Sequence, residues 1–231
     1  MAENSAFDKL HVDERDKADL GGLLEQLNLP PVFVAFVRRN QKAIYIILGI
    51  VAVIVVVVSL YSSHIEKKRT ASSSALALAQ KLEGEERLNA LNNVVDEYSG
   101  TGSALWAKVE LGRYFMEKKD FSTALQYYQT IRNEVETDNP LYNLVTFGIA
   151  QAEEALAKFN EAITEYGTLK AVTGYESIGY NGSARIYEVQ GNLERAVNEY
   201  EQYMGTLAGS SSSNPEKLYI EAKLTALKAQ M

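Results

Sequence analysis

The chain has 231 residues, 23 Lys plus Arg against 30 Asp plus Glu, a formal charge of −7 and no cysteine. This composition excludes disulfides, a thiol nucleophile and a cysteine-based metal site, and its acidity argues against nucleic acid, whose phosphates need clustered cations. Beyond a membrane segment there is room for one domain of ordinary size and not for a second large one.

Residues 1–42 form the first division. Residues 1–19 are polar and charged without a sustained apolar period, which predicts a mobile tail. Leu20, Leu23, Leu24 and Leu27 then follow helical spacing and predict a short amphipathic helix ending before Pro30-Pro31. Such a helix suits a membrane surface or a partner; a weakly ordered leucine-rich stretch is the alternative. The apolar residues 32–37 are expected to run into the next element, with Arg38 and Arg39 at the interface.

Residues 43–61 carry no charge. At 1.5 Å of rise per residue, these nineteen residues cover about 30 Å as a helix, the thickness of a bilayer hydrocarbon core. Flanking Arg38, Arg39, Lys42, Lys67, Lys68 and Arg69 speak against a core helix of a soluble protein. Ala75-Leu76-Ala77 resembles a signal-peptidase site, but it lies far past the apolar run and behind a basic cluster, so a transmembrane helix is the expectation.

Residues 62–231 are rich in Ala, Leu, Glu, Lys, Gln and Tyr, and no alternating strand pattern appears. Apolar periodicity predicts helices near 66–82, 84–98, 102–118, 121–136, 140–157, 159–171, 175–190, 193–207 and 215–229. The predicted fold is all-α: one N-terminal transmembrane helix, then an α-solenoid of helical hairpins with a C-terminal capping helix.

A repeat sets the register. Ala90, Ala124, Ala162 and Ala196 each follow the start of alternate helices, at successive spacings of 34, 38 and 34 residues. Tyr128, Tyr166 and Tyr200 follow the last three alanines by one helical turn, and Leu111-Gly112 precedes Ala124 by twelve residues. A 34-residue helix-turn-helix period with these positions is the tetratricopeptide pattern; a generic helical bundle is the alternative. Gly112 and the alanines are expected to let helices approach closely, and the tyrosines to fill the space between hairpins. The first unit is degenerate, with Val94 in place of the ring.

In such arrays the first helix of each hairpin lines a concave surface suited to a peptide or a partner helix. Counting from the small residue of each hairpin, the expected inward positions are Trp106, Val109, Arg113 and Met116, then Leu144, Phe147, Gln151 and Glu154, then Ile178, Asn181, Arg185 and Glu188. Trp106 and Phe147 could equally be core. The Lys/Asn set that clamps a C-terminal carboxylate in some tetratricopeptide domains is not evident at these positions.

No enzyme chemistry is legible. His11 falls in the tail and His64 at the membrane boundary, without triad or metal partners. No phosphate-binding loop or ligand set for a metal appears, so no cofactor, metal, nucleic acid or small-molecule substrate is expected. Glu85-Glu86 and Glu153-Glu154 read as solvated helix faces.

A membrane helix followed directly by degenerate tetratricopeptide repeats resembles the ancillary Sec translocon subunit (YfgM-like) family. The matching stretches are 104–131, 175–204 and 215–228. The longer N-terminal tail and Pro30-Pro31 depart from that pattern. The resemblance implies a non-enzymatic, single-pass protein of the bacterial inner membrane, with the N-terminus cytoplasmic and the repeats periplasmic. Its implied partners are the Sec translocon, exported clients or periplasmic chaperones. Basic residues on both flanks of 43–61 leave orientation undecided by charge alone. Two other readings stand beside this one: an assembly scaffold of another envelope complex, and a membrane-tethered signalling regulator.

Overall fold

The computed structural model describes residues 30–209, 211 and 214–231. The expected tail, the helix at 20–27 and His11 lie outside the described residues. Among the described residues, ten helices and no strand are present. The chain divides into two compact units, Met1–Ile65 and Glu66–Met231.

The first unit contains α1 (Pro31–Arg39) and most of the apolar part of α2 (Gln41–Ala79). Residues 32–37 do not merge with the apolar helix: Asn40 interposes a break of one residue. Its backbone N–H donates to the Phe36 carbonyl at 3.0 Å and its side-chain amide to the same oxygen at 2.9 Å, closing α1. Helix α2 is long and apolar enough to cross a membrane, and among the described residues nothing buries its apolar window.

Sequence periodicity predicts a break between 61 and 66, whereas α2 runs unbroken to Ala79. No Pro or Gly lies between Gly49 and Gly84 to end it. Ser62 turns its hydroxyl back onto the Val58 carbonyl at 2.7 Å, inside the helix.

The second unit takes the rest of α2, then α3 (Gly84–Glu97), α4 (Gly102–Glu117), α5 (Phe121–Glu134), α6 (Pro140–Ala155), α7 (Phe159–Leu169), α8 (Glu176–Val189), α9 (Leu193–Thr206) and α10 (Pro215–Lys228). Local chemistry fixes their starts. Thr101, Asp120, Asn139, Asn192 and Asn214 each accept a backbone N–H in the first turn of the following helix, and Pro140 and Pro215 occupy first positions where no donor is needed.

The turns inside successive hairpins share one geometry. Lys119, Ala157 and Gly191 adopt left-handed φ of 61°, 57° and 73°. The next residue in each case, Asp120, Lys158 or Asn192, donates its N–H back to Phe115, Glu153 or Tyr187 at 2.8–2.9 Å. These are helix-ending Schellman turns, and Asp120 and Asn192 then cap the next helix.

The core is strung along the array as four clusters rather than gathered in one centre. They are built around Leu91 and Leu111, around Tyr128 and Ile149, around Tyr166 and Ile186, and around Tyr200 and Ile220. Each sits between neighbouring helices, as nearest-neighbour stacking requires.

The ring of Tyr128 lies between two glycines. A Cβ added at Gly112 or at Gly148 would come within 2.7 Å or 2.8 Å of that ring. One unit later Tyr166 packs against Gly182 and Ala150 in the same manner. Ala124, Ala162 and Ala196 are fully buried, and Ala90 is half-buried against the first cluster.

Candidate partner-binding face

Helices α4, α6 and α8 carry the residues expected to face a partner, and the structure gathers only some of them. Phe147, Gln151, Asn181 and Arg185 line one cavity of about 220 Å³, together with Ile178, Ser177 and Tyr166. Trp106 stands 44% exposed on α4, apart from that cavity. Arg113 is exposed and pairs with Glu110 at 2.7 Å and with Glu117 at 3.8 Å. Val109 and Met116 pack against the Tyr128 cluster, which makes them flanks of the core. Leu144 is half-buried. His64 is exposed on α2.

The cavity wall is organised by one carboxylate. Glu154 of α6 accepts Nε–H and Nη2–H of Arg185 at 2.6 and 2.7 Å and the Tyr166 hydroxyl at 2.8 Å. Arg185 Nη2 also donates to Tyr166 Oη at 3.1 Å. One carboxylate therefore ties α6, α7 and α8 together through a two-pronged guanidinium contact and a phenol. Burial first, and the charge and hydrogen bond of Glu154 next, push the Tyr166 phenol above its ordinary range. The hydrogen bond from Arg185 to Glu154 holds the guanidinium still more firmly protonated.

The same arrangement recurs one repeat later. Tyr200 donates to Glu188 at 2.7 Å, and Lys223 of α10 donates to both Glu188 oxygens at 3.1 and 3.0 Å. Burial, then Glu188, raises the Tyr200 phenol. At the preceding junction the equivalent of Glu154 is Met116 and that of Arg185 is Gln151, so the polar tie is absent there. Tyr128 is nevertheless pushed up to about 12, chiefly by burial, with Glu110 and Glu117 adding to it and Arg113 opposing.

These shifts keep the phenols neutral and the guanidinium charged. Among the described residues no group of three His, Asp or Glu side chains could hold a metal. The cavity is apolar at Phe147 and Ile178, polar at Gln151 and Asn181, and charge-compensated at Arg185. Sequence spacing alone does not mark Ser177 or Tyr166. Ser177 lies one turn before Asn181, and Tyr166 reads first as a packing ring.

The order of hairpins, the small-residue crossings and the ring positions have a counterpart among known families. Residues 35–229 match the family model of the tetratricopeptide repeat-like domain. The chain belongs to that family. TPR-like repeats typically mediate protein–protein interaction. The fold is similar to the nearly identical TPR-like repeats assigned to a kinesin light chain from Podosopora anserina, with a TM-score of 0.54 and 19% identity. That match covers 72% of this chain and 86% of the other, and a single-residue variant of the same repeats gives the same values. The Yersinia enterocolitica type III secretion translocator chaperone SycD matches with a TM-score of 0.47 and 15% identity, over 64% of this chain and 96% of its own. No curated protein matches the chain.

Proposed function

We propose that this TPR-like chain is a membrane-anchored interaction protein: an ancillary subunit of the Sec translocon whose repeats meet exported clients or periplasmic chaperones. The observation that carries the reading is the coupling of a TPR-like array to an apolar helix against which nothing packs among the described residues. From Ile46 to Leu60, the large side chains of α2 are roughly half exposed or more. An apolar surface of that extent on one helix calls for lipid or protein around it. A helix also satisfies its own backbone in hydrocarbon. Residues 43–61 then span the inner membrane, with the N-terminus cytoplasmic and the repeats periplasmic. Membership of the YfgM-like family is supported by the order of anchor and repeats.

The absence of cysteine makes the topology directly testable. A Met231→Cys variant should react with a membrane-impermeant maleimide in intact spheroplasts, and an Ala2→Cys variant only after lysis. Labelling in the reverse order would place the repeats in the cytoplasm and overturn the proposal.

A further inference from the structure

Helix α10 is built like the first helix of a hairpin, yet among the described residues no second helix covers it. Its Lys223 engages Glu188 as Arg185 engages Glu154, so Ala222 stands where Ala184 stands in the hairpin before. Ala150 and Ala184 are fully buried against the second helices of their own hairpins, in the clusters that hold Ala162 with Tyr166 and Ala196 with Tyr200. Ala222 is exposed.

The uncovered side has the pattern of a helix-pairing seam. Leu218, Ala222, Thr225 and Ala229 recur at spacings of 4, 3 and 4 residues, which is the heptad seam of a coiled coil. All four are exposed, Leu218 by 51%. None of the five charged residues of α10 falls on this seam. The outer face of a terminal helix in a repeat array is ordinarily polar, because nothing stacks on it. Here small side chains beside one leucine let a second backbone approach to about 8 Å.

Charge selects the occupant. Glu221 and Lys228 flank the same edge of the seam, one heptad apart. Glu221 is exposed and makes no ion pair among the described residues, while Lys228 is exposed beside Glu201 at 2.6 Å and has donors to spare. When two copies of α10 lie antiparallel, Leu218 meets Ala229, Ala222 meets Thr225, and each Glu221 faces the other copy's Lys228. A parallel pair would set Glu221 beside Ala226 and lose that match. The antiparallel pair has twofold symmetry, the commonest among homo-oligomers, and its direction is that of a hairpin's second helix against its first.

We infer that α10 seats a second copy of this chain, each α10 supplying the second helix that the other lacks. The pairing is independent of the translocon reading and of the cavity at Phe147. One pair of four-turn helices is a small interface, so the association is reversible.

The test uses the full chain in detergent micelles. Because the chain has no cysteine, Ala222→Cys introduces a single thiol, which the pairing places about 6 Å, Cα to Cα, from its counterpart and within disulfide range. Mild oxidation should yield a covalent dimer faster than in Gln126→Cys on α5. In the same background Glu221→Lys sets like charges together at both ends of the pair and should slow crosslinking about fivefold. Adding Lys228→Glu reverses both partners and should restore the rate. A dimer held through α2 instead would crosslink without regard to these charges. The inference is overturned by Ala222→Cys crosslinking no faster than Gln126→Cys, or by indifference to Glu221→Lys. It is equally overturned if the doubly reversed chain, with its helical circular dichroism intact, does not recover.

Discussion

Replacing Gly148 with Ala tests whether the Tyr128 ring is the wedge that sets the spacing of α4 and α6. The new Cβ would stand 2.8 Å from two ring carbons and 2.9 Å from a third. Comfortable carbon contacts are about 3.5–4.0 Å. The ring has little room to retreat, because Gly112 presses its other face, where an added Cβ would be 2.7 Å away. Overpacking of this kind costs about 1–3 kcal/mol. Ala gains about 1 kcal/mol over Gly in a helix interior. With relief blocked on both sides the upper half of the cost applies, and the net loss is about 1–2 kcal/mol. That corresponds to a fall in Tm of about 2–8 °C for a domain of this size. Trp106, the one tryptophan, sits on α4 and reports the transition by its fluorescence. Gly167→Ala on α7, where nothing lies within 4 Å of the added carbon, should instead stabilise the array by up to about 1 kcal/mol. The Gly112→Ala, Gly148→Ala double variant should lose more than the sum of the singles, since both press on one ring. A Gly148→Ala protein as stable as the parent would refute the wedge.

Further outcomes follow from other details. Ala157 holds a left-handed φ of 57° without being glycine; Ala157→Gly should raise the unfolding free energy by about 0.5–1 kcal/mol, the strain relieved less the flexibility gained, and a lower urea midpoint would count against strain there. Glu153 is nine-tenths buried with Oε2 unpaired, and burial followed by the nearby Glu165 and Glu161 raises its pKa against Arg132 and Lys158. Its carboxylate therefore costs stability above the ordinary carboxylate range, and the cost is relieved as pH falls through the raised folded value. Glu153→Gln should add about 1 kcal/mol or more at pH 7 and flatten that slope; no gain would contradict the burial argument. Tyr128, pushed from 10.0 to about 12, favours the fold while neutral. Its contribution of about 3 kcal/mol should be intact below pH 10 and lost as pH rises through about 12. Tyr128→Phe should make alkaline unfolding shallower, and an unchanged profile would show that the phenol does not report the fold. Finally, Glu154→Ala unpairs Arg185 and Tyr166 and should cost about 1–3 kcal/mol. The exposed Glu201–Lys228 pair at 2.6 Å should yield at most about 1 kcal/mol when Glu201 is replaced by Ala, so equal losses would argue against the tie.

Helix starts near 102, 121, 140, 193 and 215 were legible from apolar periodicity, and the structure shows a local capping residue at each. Thr101, Asp120, Asn139 with Pro140, Asn192, and Asn214 with Pro215 hold those starts in the structure with one or two residues each. The repeat register was legible because Ala124, Ala162 and Ala196 recur with a ring one turn later. Continuity through 62–66 was not, since a change from apolar to basic composition looks like a boundary while the backbone lacks any breaker. The left-handed turns at Lys119 and Ala157 were hidden for the opposite reason: only Gly191 of the three equivalent positions carries the residue that marks such a turn.

The candidate site was legible in its parts and not in its assembly. Periodicity puts Phe147, Gln151, Asn181 and Arg185 on first helices, and the structure brings them to one cavity. Periodicity also puts Val109 and Met116 there, but the neighbouring Tyr128 cluster claims them for packing. The role of Glu154 depends on Tyr166 and Arg185 meeting it from two other helices, which no local pattern records.

The measurement closest to the central claim is site-specific photocrosslinking of the full chain in its native membrane. One probe replaces Phe147 in the cavity, and another replaces Gln126, exposed on α5 among the second helices. The account predicts that the Phe147 probe joins a Sec translocon component or an exported chain while the Gln126 probe does not. Capture at Phe147 no greater than at Gln126 would contradict it.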